Sequence, residues 1–251
     1  MSLLHLLSFV ATGARYTARA GRSLRGLSGP EYYRAAAQRL HEGAVACLKA
    51  LDVTLRVEGT PPEGAALVVP NHFSLLDAFA VVGAHPMTVA GRADMQHWPI
   101  VGALPRTFGI IGVERSRKTA TEDFVEAVQA RLAAGVSVLV FAEGTTSNGR
   151  QLLSFKTGAF EAVAGTPYPV VPVWQRPVRD RHGPVADLRP FAFHDEPLLR
   201  SLRRMTGRMP AEVVVGFGAP IPAEGHTRKT LATEAEAAVR AMRREHGAAV
   251  E

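Results

Sequence analysis

Residues 71–77 read NHFSLLD and residues 141–147 read FAEGTTS, and each stretch directly follows an apolar run. His72 and Asp77 are the residues best suited to chemistry. The four residues between them let the chain turn so that Asp77 reaches one imidazole nitrogen, leaving the other to take a proton from an incoming hydroxyl. Such a base should titrate near neutrality, which points to histidine, and a carboxylate holds the tautomer and offsets the charge that develops. Taken alone, the spacing fits a structural His–Asp pair equally well. No G-x-S-x-G elbow is present, nor a Walker loop, a G-x-G-x-x-G fingerprint or a zinc signature. The sequence therefore prompts neither a covalent acyl-enzyme nor a metal site.

The elements that must hold these residues alternate along the chain. Residues 31–51 carry an amphipathic helical pattern, 51–59 alternate as a strand, and AALVVP (65–70) reads as a short buried strand leading into Asn71 and His72. A helix is expected over 77–85 and a strand over 86–92. Pro and Gly break the stretch 98–107 before a β-rich end at FGIIGVER (108–115). A helix over 119–135 closes at Gly135, SVLVF (137–141) is a core strand, and AEGTTSNG is a loop. SFKTGAFEAVAG (154–165) reads as helical and 168–175 as a strand. Residues 176–210 are basic, proline-spotted and less periodic, with Arg200, Arg203, Arg204 and Arg208 forming either a membrane-facing or donor-facing surface or a solvated face. A late strand (211–221) and a terminal helix (233–247) follow. Repeated strand, loop and helix predict an α/β fold, a mixed central sheet covered by helices.

The chain has 251 residues, 47% of them apolar, and a net charge of +6. That suits a single large α/β domain at 29–251, preceded by an N-terminal segment at 1–28. The single cysteine, Cys47, excludes a disulfide framework and reads as a packed thiol. The basic balance admits anionic lipid, phosphorylated small molecules and nucleic acid, but no nucleic-acid reading module accompanies it, so no nucleic acid is expected as a partner. No run reaches the length of a membrane span. In residues 1–26 a leucine-rich start (Leu3, Leu4, Leu6 and Leu7) precedes Arg15, Arg19, Arg22 and Arg25, the reverse of a signal peptide. The segment fits an amphipathic helix at an anionic membrane surface, with an ordinary packed helix as the other reading.

Four blocks in order, spanning roughly 68–175, resemble the glycerophospholipid acyltransferase family, that of the bacterial 1-acylglycerol-3-phosphate acyltransferases. NHFSLLD is similar to its first block, and FGIIGVER, ending in Glu114 and Arg115, to its second. FAEGTTS resembles the third, and VVPV (170–173) the fourth. Two positions depart from the pattern. Ala142 stands where Pro usually precedes the glutamate, and Thr146 stands where Arg often follows the threonine, which removes one phosphate-binding candidate.

The resemblance implies direct transfer of a fatty acyl group from acyl-CoA or acyl-carrier-protein to a lysolipid hydroxyl, without an acyl-enzyme, a bound cofactor or a metal. The most direct acceptor is 1-acylglycerol-3-phosphate. Alternatives are a lyso-ornithine or other nonstandard lysolipid, or a non-catalytic lipid-binding protein of the same fold. His72 and Asp77 would be catalytic. Arg115 would grip an acceptor anion, and Glu143, Gly144 and Thr145 would shape the acceptor site, with a buried structural anchor as the rival role for Glu143. Lys156 would bind phosphate or the donor's anionic part unless it is simply solvated. Asn71 would fix the His72 loop, and Ser147 belongs to the same site. A two-chain product stays in the bilayer, so a peripheral position on the cytoplasmic membrane face is expected.

Overall fold

The computed structural model describes residues 2–97, 102–113 and 119–245. Two long helices open the chain, α1 (Ser2–Ser23) and α2 (Gly29–Ala50), followed by β1 (Val53–Glu58), β2 (Leu67–Pro70) and α3 (Leu76–Ala84). Next come β3 (Thr88–Arg92), α4 (Ala103–Phe108), β4 (Ile111–Val113), α5 (Thr119–Ala133) and β5 (Val138–Val140). The last third holds β6 (Val170–Asp180), β7 (Gly183–Pro184), α6 (Leu198–Thr206), β8 (Ala211–Phe217) and α7 (Arg228–Glu245). The strands form one mixed sheet in the order β1-β8-β6-β2-β5-β3-β4, with β7 paired to β6. β6 and β8 run antiparallel, while the β6-β2-β5-β3-β4 half is parallel throughout.

All four residues of β2 and all three of β5 are buried, because helices cover both faces of the sheet there. The strand period of two divides β2 cleanly. Val68 faces a core shared with α1, α2, α3 and α6, whereas Leu67 and Val69 face a second core shared with α5 and α7.

Three expectations need adjusting. Residues 154–165 do not form a regular helix; they make a single 3-10 turn at Thr157–Phe160 followed by irregular turns. The 168–175 strand continues to Asp180, because antiparallel pairing with β8 supplies partners beyond the point where apolar patterning fades. The basic stretch contains α6, whose buried side is Ser201, Leu202, Met205 and Thr206. α1 buries Leu6 and Phe9 in the first core, yet Leu3, Leu4 and Leu7 point outward. Among the described residues no helix is long and apolar enough to cross a membrane.

Candidate active site

β2 and β5 are parallel neighbours, with Leu67 opposite Val138 and Val68 opposite Leu139. Their carboxyl ends therefore lie side by side, and the loops beginning at Asn71 and Phe141 meet although seventy residues separate them. Such strand ends are the usual place for a site in an open α/β sheet.

The side chain of Asp77, in the first turn of α3, is fully buried. Its Oδ2 accepts three hydrogen bonds, from His72 Nδ1 at 2.9 Å and from the backbone amides of Phe73 (2.7 Å) and Ser74 (2.8 Å). The bond to a carboxylate puts the proton of a neutral imidazole on Nδ1, so Nε2 is left as a base. Nε2 has no partner among the described residues, and the ring keeps 21% exposure. Its face stacks on Phe141, with centroids 3.7 Å apart and planes 15° from parallel.

The backbone of His72 is held as tightly as its ring. Its amide donates to Glu143 Oε1 (2.5 Å), and its carbonyl accepts from the Ser147 amide (2.9 Å). The other Glu143 oxygen accepts from the Leu153 amide at 2.7 Å. Glu143 is thus a buried staple joining the His72 loop to its own loop. Burial pushes its carboxyl up to about 8, with the charge of Asp77 adding to the shift, while the amides of Leu153 and His72 pull it down. Asn71 plays a matching part on the β6 side. Its Oδ1 accepts from the Gln175 amide (2.8 Å) and its Nδ2 donates to the Gln175 carbonyl (3.0 Å), extending the β2–β6 pairing past Pro70.

Gly144 turns the third-block loop with φ of +73°, a conformation that glycine adopts freely, and the stem of Lys156 passes where a Cβ would project. Thr145 and Lys156 are exposed at the wall of a cavity of about 710 Å³ that also includes His72, Phe141 and Glu143. The rest of that wall is largely apolar, drawn from α1 to α6 and from β3, β4 and β5. Ser147 is buried beneath the loop, where its hydroxyl accepts from the Gly149 amide. Arg115 and Glu114 lie outside the described residues; β4, which leads to them, ends on the same side of the sheet as the histidine loop.

Two supports of the site were given no role by the sequence reading. Phe141, within the apolar run before the loop, is the shelf for the His72 ring. α7 ties down the loop between Glu143 and Lys156: Glu236 accepts from the Phe155 amide (2.8 Å), Arg240 donates to the Leu152 carbonyl (3.1 Å) and Arg243 to the Arg150 carbonyl. Only long-range packing brings a C-terminal helix to that loop.

The Acyltransferase family profile matches residues 52–176. A lyso-ornithine lipid O-acyltransferase of Brucella abortus is 30% identical over 200 residues, covering 75% of each chain. The chain belongs to the glycerophospholipid acyltransferase family. A 1-acyl-sn-glycerol-3-phosphate acyltransferase of Neisseria gonorrhoeae is 33% identical over 148 residues, and the match spans 57% of either protein. The crystal structure of the 1-acyl-sn-glycerophosphate acyltransferase PlsC from Thermotoga maritima superposes with a TM-score of 0.70 at 19% identity, over 100% of this chain and 98% of that one. At that identity the likeness is one of fold, and the acyltransferase fold is what the sheet and its helices reproduce.

Proposed function

We propose that this acyltransferase-family protein moves a fatty acyl group from acyl-CoA or acyl-carrier-protein to the hydroxyl of a lysolipid, with 1-acylglycerol-3-phosphate as its acceptor. The observation that carries the reading is His72 on the wall of an apolar cavity, with its ring held from behind by the buried Asp77. Nε2 of His72 takes the proton of the acceptor hydroxyl as the oxygen attacks the thioester carbonyl. A C–O bond forms, the tetrahedral intermediate collapses with loss of the C–S bond, and the departing thiolate takes the proton back from His72. Asp77 holds the ring and balances the imidazolium between these two transfers. No group on the protein is acylated.

The apolar wall suits a fatty chain, since each methylene taken out of water contributes about 0.8 kcal/mol. Lys156 and Arg115 are assigned to the anionic part of acceptor or donor, and Gly144 and Thr145 to the shape of the acceptor site. Glu143, Asn71 and Ser147 act through the position of His72. A second acceptor, a lyso-ornithine lipid, is favoured by Thr146, which stands where the family often has Arg, and by the name of the Brucella relative. The enzyme would work from the cytoplasmic membrane face, held there by the outward leucines of α1.

The test is acyl transfer by purified protein in detergent micelles, pairing long-chain acyl-CoA and acyl-carrier-protein with a panel of lysolipids and running His72→Ala alongside. Histidine-dependent product from 1-acylglycerol-3-phosphate is the expected result. Product from lyso-ornithine lipid alone moves the acceptor to the second reading. Silence from every pair, by a folded protein that still binds lipid, overturns catalysis in favour of lipid binding.

A further inference from the structure

Six large apolar side chains are exposed among the described residues, and four of them lie on two helices that pack together: Leu3 (65%), Leu4 (72%) and Leu7 (58%) on α1, and Leu199 (62%) on α6. The seam beneath them is apolar. Leu6, Phe9 and Val10 of α1 share one core with Leu198, Leu202 and Met205 of α6. Leu7 and Leu199 are the chain neighbours of Leu6 and Leu198, so the exposed leucines border that seam.

α6 divides by the helical period. Ser201, Leu202 and Met205 face inward, and Leu199, Arg200 and Arg203 face outward. Arg204 is paired with Glu196 and Arg208 with Asp180, whereas Arg200 and Arg203 have no ion pair among the described residues. The outward stripe therefore combines one large exposed apolar group with two uncommitted guanidinium groups, beside three more exposed leucines. Phe9, Val10, Leu198 and Leu202 also line the 710 Å³ cavity that reaches His72.

We infer that α6 joins α1 in a two-helix face that docks on an anionic lipid bilayer and sets the apolar wall of the cavity against the membrane. The chemistry selects a bilayer. Exposed leucines gain from entering the headgroup–acyl boundary, and guanidinium groups beside them gain from anionic headgroups. A soluble acidic partner, the acyl-carrier-protein included, would use the arginines and leave the leucines of α1 in water. This inference rests on the lipid-enzyme reading for its purpose but not for its measurement.

The experiment is sedimentation of the full-length protein with vesicles of phosphatidylcholine alone or mixed with phosphatidylglycerol, which requires no turnover. On mixed vesicles, Arg200→Gln and Arg203→Gln should each weaken partitioning about fivefold, and neither should change binding to neutral vesicles. Leu199→Ser should weaken partitioning roughly tenfold or more on mixed vesicles, as expected for several carbons withheld from the interface. Matched thermal melting curves establish that these surface variants are folded. Wild-type partitioning by both Leu199→Ser and the double arginine variant would overturn the inference. So would unchanged partitioning with a selective loss of acyl-carrier-protein binding, which would make the stripe a protein-docking site. An enzyme silent towards every substrate would remove the proposed activity and leave the vesicle result standing by itself.

Discussion

Asp77→Asn separates charge from geometry at the His72 ring. Asp77 Oδ2 accepts from the ring and from two backbone amides, whereas Oδ1 has no partner among the described residues. An asparagine here is driven to place its carbonyl oxygen at the Oδ2 position, since the flipped amide would set an NH2 against three donors. The ring tautomer and the loop survive, and what disappears is the negative charge facing the imidazolium. At about 4 Å between charge centres and an effective dielectric constant near 20, that attraction is about 4 kcal/mol, or about a thousandfold in turnover. The NH2 group then occupies the unpartnered Oδ1 position, at a cost of about 1–3 kcal/mol of stability. Asp77→Ala adds the loss of an acceptor for the Phe73 and Ser74 amides and should melt well below Asp77→Asn. The assay is kcat at saturating acyl-CoA and lysolipid in micelles, with melting followed by circular dichroism. Turnover by Asp77→Asn within roughly tenfold of wild type would refute the argument, because the carboxylate charge would then contribute little at the step proposed for His72.

Two further substitutions probe the scaffold around His72. In the folded protein the Glu143 carboxyl is raised from 4.5 to about 8, so the native state binds more protons than the unfolded chain between those values. Its contribution to stability is fullest below pH 4.5 and is lost as pH rises towards 8; Glu143→Gln should abolish that slope, and denaturation midpoints showing the same pH slope in both proteins would contradict the assignment. Glu236→Ala removes the acceptor of the Phe155 amide and the partner of Arg240, so hydrogen exchange across residues 150–156 should quicken and KM for the acceptor should rise more than kcat falls. Glu236→Gln keeps an acceptor oxygen and should restore much of the loss; unaltered exchange in the alanine variant would show that α7 does not position the loop.

Local pattern carried the sequence reading where one stretch of chain supplies its own signal. The buried run 65–70 and the core strand 137–141 were legible because covered parallel strands are apolar throughout. The amphipathic periods of α2 and α5 were legible because each must bury one stripe. The His72–Asp77 bond was also within reach, since five residues at a strand–helix junction suffice to close it. The roles of Glu143 and Asn71 could be named only as alternatives, because each is defined by a partner far away in the chain: Glu143 by the amides of His72 and Leu153, Asn71 by the backbone of Gln175. Residues 154–165 show the limit most directly. Their apolar spacing suits a helix, but the amide of Phe155 donates to Glu236 of α7 and the amide of Lys156 to the Ala142 carbonyl, so the start of the stretch is bound to distant parts of the chain. The sequence by itself carried the alternation of strands and helices and placed a histidine and an aspartate within reach of each other at a strand–helix junction. Tertiary structure alone decided which strand ends lie side by side, which backbone amides Glu143 receives, and which leucines remain outside, because those outcomes depend on the register of β2 with β5 and on the packing of α1, α6 and α7 against the sheet.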